Sequence, residues 1–303
     1  MQAVSTLMRI SVLIVFVGAS AQAADSYVQH ENVVYGEAHG LGLLMDIFTP
    51  KGESNGLGIV DVISGAWHSD RGKIRDHARA QTFQILCGKG YTVFAIRPGS
   101  ISKCSARDML DHLNEGIRWV KDHAGEYGID PDRLGMMGAS AGGHLACLAA
   151  VTAEDGQAES NGERKSGDTR VKAVAVFFPI TDFLDFGGKA VDVRAENGMG
   201  ELIRRLAFPE GLSEESDIEA TQGLTQISPA RLVTPQAPPF LLIHGDADPV
   251  VPLQQSERML EALKQAGVSA KLIVKNGGGH PWLTIHEEVQ VIADWFDKQL
   301  GQK

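Results

Sequence analysis

The chain has 303 residues, and its 28 Lys and Arg against 38 Asp and Glu give a formal net charge of −10. Hydrophobic residues make up 43% and charged residues 22% of the chain, a globular composition that excludes wholesale disorder. The excess of acidic residues, without clustered Lys and Arg, argues against a nucleic-acid binder. Three cysteines, an odd number, argue against a disulfide framework.

The first 23 residues have the pattern of an export signal. Arg9 precedes an apolar run over residues 10–19, and Ala21 and Ala23 supply the small-residue cleavage pattern. As a helix this run would rise about 15 Å, about half the hydrocarbon thickness of a bilayer. We therefore expect an exported protein, periplasmic or secreted, with residues 24–303 as the mature domain and no membrane association after cleavage.

Beyond the signal, strand-like apolar runs alternate with amphipathic helical patterns. The run YTVFAI at 91–96 is typical of a strand that is covered on both faces. Within 106–123, Met109, Leu113 and Ile117 recur at the spacing of one buried helix face. The predicted strands are 33–36, 43–49, 58–63, 91–96, 133–137, 172–178, 240–244 and 270–275, and the predicted helices are 73–87, 106–123, 141–151, 253–266 and 287–300. This alternation predicts a single α/β domain, with a mostly parallel sheet covered by helices on both faces.

Two segments interrupt the alternation. Residues 154–169 are polar and glycine-rich, which predicts a surface loop. Residues 181–227 are too long for a plain connection and include a helical piece at 200–207. We expect a lid-like insertion there, before the strand at 240–244, because ligands in α/β sheets bind over the carboxyl ends of the strands.

The cysteines leave two alternatives open. Cys87 and Cys104 bracket the predicted strand at 91–96 and could pair in an oxidising compartment. Alternatively they are unpaired thiols, like Cys147 on its predicted helix.

Residues 138–142, GASAG, form a G-x-S-x-G motif. The motif follows a predicted strand directly and precedes a predicted helix directly, which is the context of a nucleophile elbow. A sharp turn there would hold the hydroxyl of Ser140 away from the sheet, beside a helix N-terminus that favours developing negative charge. Ser140 is therefore the predicted nucleophile.

A serine nucleophile needs a base that a carboxylate orients, and in this motif class the chain order is serine, acid, histidine. His280 follows the predicted strand at 270–275 in a glycine-rich loop, whereas His286 begins the closing helix, so we expect His280 to be the base. Asp246 and Asp248 both follow the buried strand at 240–244. The residues alone favour Asp248 only slightly and leave Asp246 open as the acid.

Two backbone N–H groups are expected to form an oxyanion hole. One belongs to Ala141, the residue after the nucleophile. The other is expected from Gly65 or Ala66, since the loop after the strand at 58–63 carries small residues that let backbone approach a substrate.

At these motifs the sequence resembles the α/β-hydrolase-fold esterases of the branch related to feruloyl and acetyl-xylan esterases and to prolyl-oligopeptidase-type catalytic domains. The matching segments are DVISGAW (61–67), GASAGG (138–143), HGDADPVVP (244–252) and GGGHPW (277–282). The resemblance implies an α/β-hydrolase fold, and it implies Asp248 as the acid because the second Asp of HGxxDxxVP has that role in the family. One departure is ISGA at 63–66, where related esterases carry HGGG.

The implied reaction is ester hydrolysis through an acyl-enzyme, which requires no cofactor and no metal. Trp67, Arg97 and Trp282 flank the predicted site and are the predicted substrate contacts, because an aromatic wall with charged groups suits a sugar or aryl ester. The alternative for Arg97 is an ion pair with Asp70 that braces the loops.

The expected function is that of a secreted serine carboxylesterase whose partner is a small-molecule or glycan ester with a short acyl group. A prolyl-oligopeptidase-like peptidase is the first alternative, although such enzymes usually carry a propeller, for which the 280 residues after residue 23 leave no room. A non-catalytic binding module on the same fold is the second alternative, although no triad residue is missing here.

Overall fold

The computed structural model describes residues 26–154, 167–196, 198–213 and 216–301. The expected signal over residues 1–23 and most of the predicted polar loop lie outside these ranges. The strands are Tyr27–Ala38 (β1), Leu41–Pro50 (β2), Gly58–Val62 (β3), Thr92–Arg97 (β4), Gly135–Ala139 (β5), Ala173–Phe177 (β6), Phe240–Gly245 (β7) and Ala270–Lys275 (β8). The helices are Arg71–Arg79 (α1), Thr82–Gly88 (α2), Ala106–Asp122 (α3), Ala141–Val151 (α4), Gly198–Ala207 (α5), Asp217–Gln226 (α6), Gln254–Gln265 (α7) and Ile285–Leu300 (α8), with a short 3-10 helix at Pro229–Arg231.

The eight strands form one sheet in the order β1-β2-β4-β3-β5-β6-β7-β8. The pairs β1–β2 and β2–β4 are antiparallel, and every pair from β4 to β8 is parallel. All residues of β3, β6 and β7 are buried, as expected for strands covered on both faces. The carboxyl ends of β3, β5, β7 and β8 therefore meet at one edge of the sheet.

Two apolar cores lie on opposite faces of the sheet. One contains the buried stripe of α3, including Met109 and Leu113. The other contains the buried stripe of α8, including Val289 and Phe296. These two faces hold the parallel strands in fixed positions, so the loops at the carboxyl edge start from rigid supports.

The prediction of one continuous helix over 73–87 is wrong. The segment forms two helices, because Gln81 adopts a left-handed conformation with φ 60° and ends the helical path. The sequence has no Gly or Pro at this point, so the apolar spacing alone suggests one helix.

The segment between β6 and β7 is an insertion, as predicted, and it contains α5, α6 and the 3-10 helix. Its two ends lie side by side. The N–H of Phe183 donates to the hydroxyl of Ser228 at 2.9 Å, and the N–H of Ala230 donates to the carbonyl of Thr181 at 3.0 Å. The insertion therefore leaves and re-enters the sheet at one place.

Cys87, Cys104 and Cys147 are free, so of the two alternatives for the cysteines the structure has unpaired thiols. Burial raises the pKa of Cys87 to about 12, which keeps it protonated. Among the described residues, no helix combines the length and apolar character that crossing a bilayer requires.

Candidate active site

Ser140 stands at a sharp turn between β5 and α4. Its backbone is strained, with φ 55° and ψ −120°. Glycines two residues on either side make the turn possible, because a Cβ at Gly138 would collide with the carbonyl of Gly142, and a Cβ at Gly142 with the carbonyl of Val62. This local arrangement matches the elbow expected from the GASAG motif.

A continuous chain of hydrogen bonds connects Ser140, His280 and Asp248. The hydroxyl Oγ of Ser140 lies 2.9 Å from Nε2 of His280, and Nδ1 of His280 lies 2.6 Å from Oδ2 of Asp248. Because a carboxylate only accepts, the Nδ1–H of His280 donates to it, and Nε2 is left as the acceptor for the serine proton. The Asp248 side chain is fully buried, whereas that of His280 is 14% exposed.

The loop after β7 fixes the acid of this chain. The second oxygen of Asp248 accepts the N–H groups of Val250 and Val251 at 2.8 and 2.9 Å. His244 supports the same loop from the core, with its Nε2 2.9 Å from the carbonyl of Val251. Burial lowers the pKa of His244, which keeps this imidazole neutral.

Asp246, the alternative acid, has a different contact. Its Oδ1 accepts the N–H of Gly277 at 2.6 Å, and the N–H of Ala247 donates to the carbonyl of Gly278 at 3.0 Å. Asp246 therefore holds the loop that carries His280. His286 lies in the first turn of α8. The structure therefore brings His280, and not His286, to Ser140, and it brings Asp248, and not Asp246, to His280.

The backbone beside Ser140 offers two N–H groups. Those of Ala66 and Ala141 have no hydrogen-bond acceptor among the described residues, and the N–H of Gly142 donates to the carbonyl of Ser64 at 3.1 Å, which holds the loop beside α4. Gly65 is different, because its N–H donates to the carbonyl of His68 at 2.9 Å. Of the two residues expected as the second donor, Ala66, in a left-handed turn with φ 47°, is therefore the one whose N–H is free among the described residues, and its oxyanion role stays a prediction.

The prediction that Trp67 contacts substrate is wrong. Its side chain is buried at 4% exposure, and its Nε1–H donates to Nδ1 of His144 at 3.1 Å. Trp67 has φ 57°, and this conformation turns the indole into the core. The residue therefore supports the loop of Ala66 from beneath.

His144 is a residue that the sequence analysis missed. Its Nε2–H donates to the carbonyl of Ile227 at 2.8 Å, so one imidazole joins the loop after β3, helix α4 and the end of the insertion. Burial lowers its pKa to about 4, which keeps it neutral, with one donor and one acceptor. The signal available in the sequence was a histidine inside an otherwise apolar, small-residue helix.

Arg97 makes structural contacts, and its contact with substrate stays a prediction. Its guanidinium donates to Oδ1 of Asn32 at 2.8 Å and lies 3.5 Å from Oδ1 of Asp46, so it is directed toward β1 and β2. The alternative pair with Asp70 is not formed either, since Asp70 caps α1 by accepting the N–H of Gly72. Arg97 does brace this region, but through Asp46.

Trp282 lies on an aromatic wall beside His280. Its Nε1–H donates to Oε2 of Glu288 at 2.7 Å, and its ring centroid lies 5.9 Å from that of Phe178. The ring of Phe178 in turn lies 4.3 Å from that of His280. Substrate contact by Trp282 stays a prediction, and Phe178 is a neighbour of the site that the sequence gave no reason to select.

Within the described ranges, no group of three or more His, Cys, Asp or Glu side chains is placed to hold a metal ion.

The sequence model of the BD-FAE family matches residues 45–263, more than half of the chain. The chain belongs to this family of α/β-hydrolase esterases. Esterase LipQ of Mycobacterium tuberculosis is 32% identical to this BD-FAE chain over 70% of the chain and 46% of LipQ. The probable carboxylic ester hydrolase LipM of the same organism is 28% identical over 79% of the chain and 52% of LipM. The chain thus spans about half the length of these curated relatives.

A solved structure, the truncated form of a carbohydrate esterase from gut microbiota, has the same fold. It superposes with a TM-score of 0.75 at 26% sequence identity, over 92% of this BD-FAE chain and 99% of the esterase. The predicted α/β-hydrolase fold is confirmed.

Proposed function

We propose that this protein is a serine esterase in which Ser140 is the nucleophile, His280 the general base and Asp248 the orienting acid. The observation that carries the proposal is the unbroken hydrogen-bonded chain from a strained serine to a buried carboxylate. Backbone strain at a serine that faces an imidazole is typical of a nucleophile elbow. Membership of the BD-FAE family and the esterase names of its relatives support the same reaction class.

In the first half-reaction, Oγ of Ser140 attacks the ester carbonyl carbon while Nε2 of His280 takes its proton. The N–H groups of Ala66 and Ala141 donate to the oxyanion that forms. His280 then gives the proton to the leaving alkoxide, and the acyl group stays on Ser140.

In the second half-reaction, water attacks the acyl carbon and His280 takes the water proton. When the tetrahedral intermediate collapses, His280 returns a proton to Ser140 and the carboxylic acid leaves. Asp248 stabilises the imidazolium in both halves, and its burial makes that stabilisation stronger than in water.

For substrates we propose short-acyl or carbohydrate-linked esters. The similarity to the gut carbohydrate esterase supports a glycan ester. Near the triad, Val250 is 53% and Leu283 is 99% exposed, and both lie within three residues of Asp248 or His280. These apolar groups, together with Trp282, suit the acyl or aryl part of a small ester.

The proposal is tested with p-nitrophenyl esters from C2 to C12, comparing wild type with Ser140→Ala. Ser269→Ala is the matched control, since Ser269 is an exposed serine before β8. We expect turnover that is highest for C2–C4, retained in Ser269→Ala and absent in Ser140→Ala. A fluorophosphonate probe should label wild type and not Ser140→Ala. Folded wild type that neither turns over nor is labelled would favour the binding-module alternative.

Two comparisons separate the esterase from a peptidase and identify its substrate. Hydrolysis of matched ester and anilide substrates should strongly favour the ester, and a preference for the anilide would revive the peptidase alternative. The relatives named above are esterases, and none of them is a peptidase. Release of acetate from an acetylated xylan, with no release of methanol from a methyl-esterified pectin, would assign an acetylated glycan.

We also propose that the protein is exported after cleavage behind Ala23, on the strength of the N-terminal sequence pattern. N-terminal sequencing of protein recovered outside the cytoplasm should begin at Ala24. An intact Met1 on the recovered protein contradicts the proposal.

A further inference from the structure

A cavity of about 580 Å³ lies between the start of β2 and the segment that follows β4. Its two walls differ in chemistry. One is apolar and includes Leu41, Leu43 and Leu44, whereas the other is polar and includes Arg97 and Lys103. This volume lies within the range of small-molecule sites, which usually combine an apolar lining with a few polar groups.

The charge of the lining is positive in a protein that is acidic as a whole. Arg97 and Lys103 are joined by the imidazoles of His39 and His112, and none of the residues that form this cavity is Asp or Glu. The chain carries a net charge of −10, so a lining with basic groups and no acid differs from the average surface. The charge of Arg97 is offset by Asp46 at 3.5 Å, which also contacts Arg71 at 3.1 Å. Lys103, which is exposed and has no ion pair among the described residues, therefore supplies the uncompensated positive charge of the lining.

Two residues of this lining each have a buried polar atom without a hydrogen-bond partner among the described residues. These atoms are Oγ of Ser69 and Nε of Arg97. Ser69 is 8% exposed, and its backbone N–H donates to Oγ of Ser100 at 3.0 Å. Both atoms are closed off from solvent, so they lie behind the surface of the cavity, and the exposed Lys103 is the donor that a ligand can reach.

The cavity is separate from the candidate active site. Ser140, Asp248 and His280 are not among its lining residues. The cavity adjoins the loop of Ala66, since the N–H of Ile101 donates to the carbonyl of Trp67 at 2.8 Å.

We propose that this cavity binds an organic carboxylate whose body is apolar, such as a medium-chain or aromatic acid. The carboxylate accepts from Nζ of Lys103, and the leucines cover its carbon chain. The site does not depend on the proposed esterase reaction, since it uses none of the catalytic residues.

The test is calorimetric titration of the full-length protein with matched ligands. Hexanoate and hexanamide differ in charge at equal size, acetate lacks the apolar body, and glucuronate places a carboxylate on a polar body. We expect hexanoate to bind at least ten-fold more tightly than each of the other three.

Two pairs of exposed-residue variants locate the site. Lys103→Gln should weaken hexanoate binding at least five-fold, and Lys271→Gln on β8, at the opposite edge of the sheet, should leave it unchanged. Leu41→Ser should weaken hexanoate and not acetate, while Val274→Ser, also on β8, is its control.

The outcomes are distinct from those of the esterase assay. Retained hexanoate binding in Ser140→Ala, lost in Lys103→Gln, supports the proposal whether or not the protein hydrolyses esters. The proposal is overturned if hexanamide or glucuronate binds as tightly as hexanoate. It is also overturned if Lys103→Gln binds like wild type, or if labelling of Ser140 by a fluorophosphonate abolishes binding, since the acid would then occupy the catalytic site.

Discussion

Two histidine–aspartate pairs in this molecule have almost the same geometry and lie in different surroundings. Nδ1 of His280 is 2.6 Å from Oδ2 of Asp248, and Nδ1 of His77 is 2.7 Å from Oδ2 of Asp61. Both carboxylates are fully buried. The pair itself is therefore not what makes an active site.

The difference lies in what surrounds each pair. The free nitrogen of His280 faces the strained hydroxyl of Ser140, and the second oxygen of Asp248 accepts two backbone N–H groups. His77 packs from α1 onto β3, and Oδ1 of Asp61 has no partner within the described ranges. A nucleophile at the second ring nitrogen and a fully satisfied acid distinguish the proposed catalytic pair from the structural one.

The largest expected effect comes from Asp248→Asn, which should lower kcat by about 10⁴-fold because the amide no longer fixes the imidazole tautomer. Turnover of p-nitrophenyl acetate, on protein shown to be folded by circular dichroism, measures this effect. Asp61→Asn is the matched control in the other pair and should leave kcat of the folded protein unchanged. Equal losses in the two variants would show that the distinction between the pairs is wrong.

The effect of Asp61→Asn should appear in stability, where we expect a loss of about 3 kcal/mol, because removing one partner leaves the other buried without its counterion. Burial lowers the pKa of His77, but the charge and hydrogen bond of Asp61 outweigh it and the net pKa is raised. The stabilisation is therefore complete below pH 6.5 and is lost as the pH rises through the raised value. In urea unfolding, the difference in free energy of unfolding between wild type and His77→Gln should narrow from pH 6 to pH 9. A constant or widening difference contradicts a raised pKa for His77.

His144 sharpens the comparison, because it is a buried imidazole without a carboxylate and its pKa is lowered to about 4. A depressed pKa gives a contribution that is present above pH 6.5 and is lost as the pH falls toward 4. The expected loss over this window is about 3 kcal/mol. His144→Gln, which cannot titrate, should be less stable than wild type at pH 7 and should lose less on acidification. Parallel acid-unfolding curves would contradict the assignment.

The smallest expected effect is at Asp246, which holds the loop of His280 and takes no part in the proton transfers. Asp246→Ala should lower kcat by about 3- to 10-fold, which corresponds to the free energy of roughly one hydrogen bond. Asp246→Asn should restore activity, since its side-chain oxygen can still accept the N–H of Gly277. If Asp246→Asn were as damaging as Asp248→Asn, the roles of the two carboxylates would have to be exchanged.

The elbow at Ser140 could be predicted from sequence because its signal is local, and the order of the elements predicted that the acid and His280 lie at one edge of the sheet. The choice of Asp248 over Asp246 needed the family resemblance. Glycines flanking Ser140 specify a tight turn, and buried strands ending before Asp248 and His280 place both at the same edge of the sheet. These predictions needed the order of elements and no side-chain direction.

The substrate contacts could not be predicted, because they depend on where side chains point. Positive φ at Ala66 and Trp67 turns the indole inward, and a long-range pair with Asp46 turns Arg97 toward β2. The use of the Gly65 N–H by His68, and the helix break at Gln81, likewise follow from backbone conformations that no glycine or proline signals.

The insertion between β6 and β7 is suited to exchange between related proteins, because its ends are hydrogen-bonded to each other. A segment whose first and last residues are adjacent can be replaced by another segment without altering the register of the strands around it. The cuts should fall after Phe183, which packs on Trp67, and before Ile227, whose carbonyl anchors His144. Segments from other members of the family, grafted between these two points, would change the insertion while Ser140, Asp248 and His280, which lie outside it, keep their supports.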